Sequence, residues 1–298
     1  MSADIVASLV MPVWRPRADW LRVAVQSALD EHRCAIELII VDNGNESSVA
    51  DLIADIVDPR VRMISITHGG VSRARNAGMA LARGQFIRFV DCDDALTPNS
   101  TSHLLLHADD LTIAYGATEY CDAELRPYKT VVCALHGHIA AAALTSFSVT
   151  LPALLFPRKA IELAGEWDES MTICEDWDFV QRVLEHAAVR GDARVAIKYR
   201  RHATSAVGQA SIELSERSAE RVVVNYLQRH PDQRNSRHIR RAHAMRLTEA
   251  GDRYLQTGNR SAALSRFRRA LRHDPAYTVR AVSSLLAREI RARLAPHA

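Results

Sequence analysis

Gly84-Gln85-Phe86-Ile87-Arg88-Phe89-Val90-Asp91-Cys92-Asp93-Asp94-Ala95-Leu96-Thr97-Pro98 is the stretch from which the fold is read. Phe86, Ile87, Phe89 and Val90 form a short apolar run with strand character, broken only by Arg88. Asp91, Asp93 and Asp94 follow at once. Like charges this close repel and raise one another's pKa unless a cation or a ring of donors offsets them. Taken alone, the stretch has two readings. It is a solvated acidic turn after a strand, or an oxygen-rich site of the kind hard divalent cations prefer.

Working outward, residues 5–13 form a hydrophobic run that Pro12 is expected to end, since proline cannot donate to a central ladder. Asp19 is expected to cap a helix over 20–30, with Leu21, Val25, Ala28 and Leu29 on one face. Residues 36–41 predict a second strand, ending in Asp42-Asn43-Gly44-Asn45. A helical pattern over 48–56 leads to a third strand over 61–66. The turn His68-Gly69-Gly70-Val71-Ser72 then leads into a helix over 73–82, just before the opening stretch. Strands alternating with helices predict βαβ units and a mostly parallel sheet covered on both faces. In such sheets ligands bind outside the carboxyl ends of the strands. Trp14, Asp42, His68 and Asp91 to Asp94 all follow strands, so they are expected to converge on one edge. Neither the G-x-G-x-x-G fingerprint after the first strand nor the P-loop pattern is present. That excludes dinucleotide binding and ATP hydrolysis by those routes. Asp42 reads either as an acceptor for a ribose hydroxyl or base N–H, or as an Asx-turn before Gly44.

The 298 residues can bury one sizeable core and carry a smaller appendage. Charged residues at 24% and hydrophobic residues at 48% are ordinary for a soluble globular protein. A net charge of +3 is too small to argue for nucleic acid. The five cysteines (Cys34, Cys92, Cys121, Cys133 and Cys174) are scattered, with no C-x-x-C pair, which fits a reducing compartment. The N-terminus shows no basic-then-apolar leader pattern, and the apolar stretch 139–156 is interrupted by polar residues and Pro152, so it reads as buried protein.

Together, Ser8 to Trp14, Glu37 to Asn45, Gly70-Val71-Ser72-Arg73-Ala74-Arg75-Asn76-Ala77-Gly78, the opening stretch and Ala153 to Glu169 resemble the family 2 glycosyltransferases of the GT-A fold. So do Glu175-Asp176-Trp177-Asp178 and Tyr199-Arg200-Arg201-His202-Ala203-Thr204-Ser205. The resemblance implies an α/β fold with a Rossmann-like, mostly parallel sheet flanked by helices over 1–208. It implies transfer of a sugar, with inversion, from a nucleotide-diphosphate sugar to a hydroxyl acceptor such as a glycan, a lipid-linked glycan or a polysaccharide precursor. It also implies a divalent cation, Mn²⁺ or Mg²⁺, held by Asp93 with His202 near the diphosphate. Pro12, Val13, Trp14, Asp42, Arg75 and Asp91 are implied to hold the donor, and Asp176 to act as the general base. Each has a bland counterpart: Arg75 as a solvated helix arginine, Glu175 to Asp178 as acids opening a helix, His202 as a structural imidazole. Residues 111–148 are expected to line the donor-sugar pocket. The competing functional reading is a catalytically silent relative that binds a nucleotide or a partner.

Residues 209–298 are expected to be all-helical and rich in arginine. Residues 244–275 resemble one tetratricopeptide repeat, a helix hairpin of about 34 residues. Residues 279–294 form an amphipathic pattern through Val282, Leu285, Leu286 and Ile290. A single repeat is expected to pack on the catalytic domain or on a copy of itself. The last helix is expected to be an ordinary surface helix, with contact to an anionic membrane as the alternative. The expected location is the cytoplasm, with peripheral contact at the inner membrane face as an option. His136 and His138 lack a third ligand at useful spacing.

Overall fold

The computed structural model describes residues 4–202 and 210–294, with side chains to 288. The Ala203-Thr204-Ser205 end of the Tyr-Arg-x-His-x-x-Ser motif and the side chain of Ile290 lie outside the described residues. The chain divides into two compact units, Met1–Ala140 with Phe147–Gly208, and Ala141–Ser146 with Gln209–Ala298.

The first unit begins with β1 (Ala7–Val13), α1 (Ala18–Leu29), β2 (Ile36–Asp42), α2 (Val49–Leu52), β3 (Val61–Ser65), α3 (Gly70–Leu81) and β4 (Phe86–Phe89). It continues with β5 (Ala95–Leu96), α4 (Ser100–Leu105), β6 (Thr112–Cys121) and β7 (Pro127–Val131). After α5 (Ala140–Ser146), all but the first residue of which belongs to the second unit, the first unit resumes with β8 (Leu154–Pro157), α6 (Arg158–Ala164), α7 (Glu175–Leu184) and β9 (Ala188–Arg200). The strand order is β3-β2-β1-β4-β8-β6-β9-β5, with β7 added beside β6.

Strands β1 and β2 are buried at every position because helices cover both faces. Alternate residues divide between the faces. Leu9, Met11, Leu38 and Ile40 pack with Leu21, Ala24, Val25 and Ala28 of α1. Ile39 and Val41 pack with Ala74 of α3 on the other face. Gly78 is where α3 comes closest to the sheet: a Cβ there would meet Val10 Cγ1 at 2.3 Å and Val41 Cγ2 at 3.2 Å.

Several sequence expectations change. The parallel arrangement holds for β1 with β2 and β4, for β2 with β3, and for β6 with β9. Strands β8, β5 and β7 pair antiparallel, so the second half of the sheet is mixed. Pro12 does not end β1. It pairs with Val41, while the register with β4 stops at Val10, so the proline stands where the β4 side of the strand is free. Asp19 does not cap α1: Arg17 is the cap residue, and Asp19 lies in the first turn paired with Arg17 at 2.8 Å. The helix over 48–56 shortens to Val49–Leu52, capped by Ser48.

Arg88 is fully buried. Its guanidinium donates to the Pro152 and Ala196 carbonyls and to the Ser100 and Thr101 hydroxyls, at 2.8 to 3.0 Å. Burial pulls its pKa down to about 9, which still leaves a cation at neutral pH. This one side chain ties β4 to α4 and β9.

In the second unit, α8 (Ile212–Arg229), α9 (Arg237–Gln256), α10 (Arg260–His273) and α11 (Pro275–Leu294) follow one another. Ser211 and Ser236 cap α8 and α9. Helices α9 and α10 form a hairpin whose turn has Gly258 in the left-handed region and Asn259 as the cap of α10. Gly251 of α9 lies against the Phe267 ring of α10. Among the described residues no helix is long and apolar enough to cross a membrane.

Candidate active site

The carboxyl ends of β1, β2 and β4 open onto a cavity of about 440 Å³. Pro12, Trp14, Arg75, Asp91, Asp93, Asp176 and His202 line it, so seven of the nine residues singled out from the sequence come together. Val13 and Asp42 do not line it. Val13 is fully buried in the core between sheet and α1. The Asp42 carboxylate accepts from the backbone N–H of Asn45 at 3.0 Å and from its side-chain amide at 2.6 Å, which is the Asx-turn arrangement.

Asn43 reaches the cavity instead. Its amide donates to the Gly70 carbonyl at 3.1 Å, and its oxygen accepts from the Gly69 N–H at 3.2 Å. One side chain thereby fixes the loop entering α3. The His68 ring on that loop stacks on Trp14, with centroids 4.6 Å apart and planes 22° apart. Trp14 is 45% exposed at the cavity rim, and the Arg15 guanidinium lies over its ring, 4.6 Å from the centre.

Arg75 comes from the face of α3 that packs toward the sheet and is buried. It donates to Asp91 Oδ1 at 3.2 Å and to Glu175 Oε1 at 3.0 Å, and it lies 4.5 Å from the Trp167 ring centre. The solvated-arginine reading is thus replaced by a bridge between the carboxyl end of β4 and the start of α7. Trp167 stacks in turn on Phe179 at 4.0 Å and 8°.

The acidic loop is strongly structured. Asp94 is buried, its Oδ1 accepts from the Arg200 N–H at 2.8 Å, and its Oδ2 has no hydrogen-bond partner among the described residues. The Arg200 side chain donates to the Asp93 carbonyl at 2.6 Å. Asp93 Oδ2 lies 2.8 Å from His202 Nε2, whose ring sits edge-on to Trp20 at 4.8 Å. Burial, reinforced by the Asp91 and Asp93 charges, pushes Asp94 well above the usual carboxylate range. Burial also raises Asp91, against the pull of Arg75 and with the push of Asp93. Glu175 is raised by burial and by Asp176, again against Arg75. Burial and the neighbouring aspartates raise the Cys92 thiol, which keeps it protonated.

Carboxylates that resist ionising together, one of them with an oxygen left unpartnered, form a donor set that suits a hard divalent cation. The oxygens of Asp91, Asp93 and Asp94 and the imidazole of His202 are of the donor type such an ion takes, though among the described residues no three of them are gathered as closely as a ligand set. Asp176 stands exposed in the first turn of α7, on the same cavity. Cys174, at the helix start, adopts the left-handed conformation. Asp178 faces the other way and pairs with Arg182 at 2.9 Å.

Tyr199, Arg200 and Thr172 also line the cavity without having been singled out individually, and no residue of 111–148 does. The signal for Tyr199 and Arg200 lay in the strand before His202. For Asn43 it lay one residue past the aspartate that ends β2.

The fold defines a GT-A architecture, with an acid-lined cavity at the carboxyl edge of an α/β sheet. The chain belongs to glycosyl transferase family 2, whose profile matches residues 8–158. Among relatives, it is 28% identical over 184 residues to the succinoglycan biosynthesis protein ExoO of Rhizobium meliloti, covering 56% of this chain and 52% of that one. It is 29% identical over 128 residues to the uncharacterized glycosyltransferase YibD of Escherichia coli, covering 42% of this chain and 37% of that one. The chain thus spans about half or less of the length of these relatives. Among solved structures, S. aureus TarS superposes with a TM-score of 0.61 at 14% identity, covering 92% of this chain and 50% of that one. TarS 1-349 in complex with UDP-GlcNAc gives 0.55 at 12% identity, covering 88% of this chain and 90% of that one.

Proposed function

We propose that this chain transfers a sugar from a nucleotide-diphosphate sugar to a hydroxyl acceptor with inversion at the anomeric carbon. The observation that carries the reading is the convergence on one cavity of the stacked Trp14–His68 rings, an aspartate cluster with His202, and Asp176. The Trp14–His68 pair receives the base, and Asn43 holds the loop that keeps His68 in place. Arg75 orients Asp91 toward the ribose or sugar hydroxyls. Asp93 and His202 would hold the divalent cation, which supplies neutralising charge to the departing diphosphate when bound. Asp176 accepts the acceptor's proton as its oxygen bonds to the anomeric carbon. The bond from that carbon to the diphosphate oxygen breaks, and the electron pair leaves on the diphosphate.

A uridine nucleotide sugar is the first donor to try, supported by the UDP-GlcNAc complex of the TarS neighbour. An acceptor in cell-surface polysaccharide assembly is supported by the likeness to ExoO. The α9–α10 hairpin serves as a single tetratricopeptide-like repeat, offering a helical surface for self-association or peripheral membrane contact on the cytoplasmic side.

The experiment pairs thermal shift with release of free nucleotide, across uridine, guanosine and thymidine diphosphate sugars with Mn²⁺ or Mg²⁺. Asp93→Ala is expected to abolish the metal-dependent stabilisation by donor. Asp176→Asn is expected to keep it while lowering kcat by about 10²–10⁴-fold. Stabilisation that needs neither metal nor Asp93, or turnover unaffected by Asp176→Asn, would overturn the assignment.

A further inference from the structure

The proposed donor chemistry makes no use of a second cluster in the first unit. His103, on α4, and His107, just past its end, stand four residues apart, so they share one side of a helical turn. Their Nε2 atoms lie 2.8 Å and 3.1 Å from the same oxygen, Asp192 Oδ2. Asp192 belongs to β9, 89 residues beyond His103 in sequence. The side chains of His103 and His107 are only 15% and 23% exposed, and that of Asp192 is 37% exposed. Among the described residues this set stands out as a possible metal-ligand group, its donor atoms all within 4.8 Å of one another.

The strand is deformed where Asp192 leaves it. Tyr115 of β6 pairs with Gly191, and Ala117, two residues on, pairs with Val195. Residues 192–194 therefore face the single residue Gly116, forming a bulge that turns Asp192 out of the ladder. The other carboxylate oxygen, Oδ1, accepts from the Arg194 N–H at 2.9 Å, which orients the group as supporting hydrogen bonds orient metal-binding carboxylates.

We infer that His103, His107 and Asp192 form a zinc site, separate from the acidic donor cavity, that clasps α4 to β9. Two imidazoles and one carboxylate suit Zn²⁺ better than the hard ions that an all-oxygen set takes. Tetrahedral bonds of about 2.0–2.1 Å put neighbouring ligand atoms about 3.3 Å apart. The two hydrogen-bonded contacts open by half an ångström or less to reach that spacing. Without metal, each Nε2 carries the proton shared with Asp192. When zinc takes Nε2, that proton relocates to Nδ1 and the imidazole stays neutral. On His103, Nδ1 then faces the Arg194 guanidinium, now 3.2 Å away, as donor against donor. Arg194 is exposed, so its side chain swings into solvent. The bound ion reinforces what Arg88 begins, since Arg88 already ties α4 to β9 through Ser100, Thr101 and Ala196. Strand β9 ends at Arg200, so the clasp steadies the strand that carries Arg200 and His202 to the donor cavity.

The test uses untagged full-length protein stripped by a chelator, in an Asp93→Ala background so that the acidic cavity does not compete. Zinc is titrated by calorimetry and Co²⁺ by its visible absorption. One Zn²⁺ per chain is expected, with a tetrahedral Co²⁺ spectrum and a zinc-dependent rise in Tm. His107→Ala and Asp192→Asn should each weaken zinc binding about tenfold or more. Arg194→Ala should tighten it, because a competing donor and a positive charge are removed; a purely hydrogen-bonded cluster predicts no such gain. If His107→Ala fails to fold, Asp192→Asn, which preserves the shape of the cluster, decides the matter. Equal zinc binding by the parent and Asp192→Asn, or none by the parent, would overturn the site.

Discussion

Glu37 is a carboxylate near the start of strand β2, followed by four apolar residues, and its side chain is 1% exposed. Its oxygens accept from the Ser8 hydroxyl at 2.7 Å, the Arg83 backbone N–H at 2.7 Å and the Arg62 guanidinium at 2.7 Å. Burial alone would raise its pKa, but these donors, led by Arg62, hold it below the usual range. A lowered folded-state value means stability that is fully present above the unfolded pKa of about 4.3. That stability is lost as pH falls through the folded value. Glu37→Gln is expected to cost about 2 kcal/mol at neutral pH, the scale of hydrogen bonds to a charged group. The gap between the two urea midpoints should close as the parent is acidified below pH of about 4; a pH-independent gap would count against the charge. The acidic cavity has the opposite sign. Raised values at Asp91 and Asp94 mean that ionising them works against the fold, a cost that the proposed cation would offset.

Among elements, α3 does the most positioning. Its first turn is held by Asn43, and its buried face brings Arg75 to Asp91 and Glu175. The helix sits that close to the sheet because Gly78 has no side chain at the contact with Val10 and Val41. Gly78→Ala removes a weak helix former from α3, worth about 1 kcal/mol in its favour. Against that, a methyl group is forced to 2.3 Å from a buried valine. Overpacking of this kind costs about 1–3 kcal/mol. The expected net result is a lower urea midpoint with weaker donor binding, as Arg75 is carried away from Asp91. Unchanged donor affinity would separate the position of α3 from the site. The remaining elements hold the acidic loop: β9 supplies the Arg200 N–H to Asp94, and α7 supplies Glu175 to Arg75.

On the scale of the whole molecule, all cavity-lining residues belong to the first unit, while the second has its own core around Ala244, Leu247 and Ala270. Gly251→Leu places a side chain where a Cβ alone would meet the Phe267 ring at 2.4 Å. It is expected to lower the cooperativity and midpoint of helix melting by circular dichroism while leaving the donor dissociation constant within about twofold. A larger loss of donor affinity would mean that the helical unit acts on the site.

How much of this was legible in the amino-acid order varies with the reach of the interactions. The apolar runs of β1 and β2, continuous because both faces are covered, and the carboxylates after Val90 are local signals. They carry the α/β class, the ligand edge and most of the cavity residues. The choice between Asp42 and its neighbour Asn43 was not legible. It depends on how the strand end meets the loop before α3, and Asn45 claims the Asp42 carboxylate. The mixed second half of the sheet, and Pro12 within β1, follow from where partner strands stop, which no local pattern records. Arg75 reads from the sequence either as a donor-holding residue or as a solvated helix arginine, and the closing of Trp167, Asp91 and Glu175 around it decides against the solvated reading. The meeting of His103 and His107 with Asp192 needs a parallel β6–β9 pair and a bulge within it. Sequence periodicity specifies which face a residue shows along its own element. The partner it meets across the chain is set by long-range register, and only the folded structure supplies that.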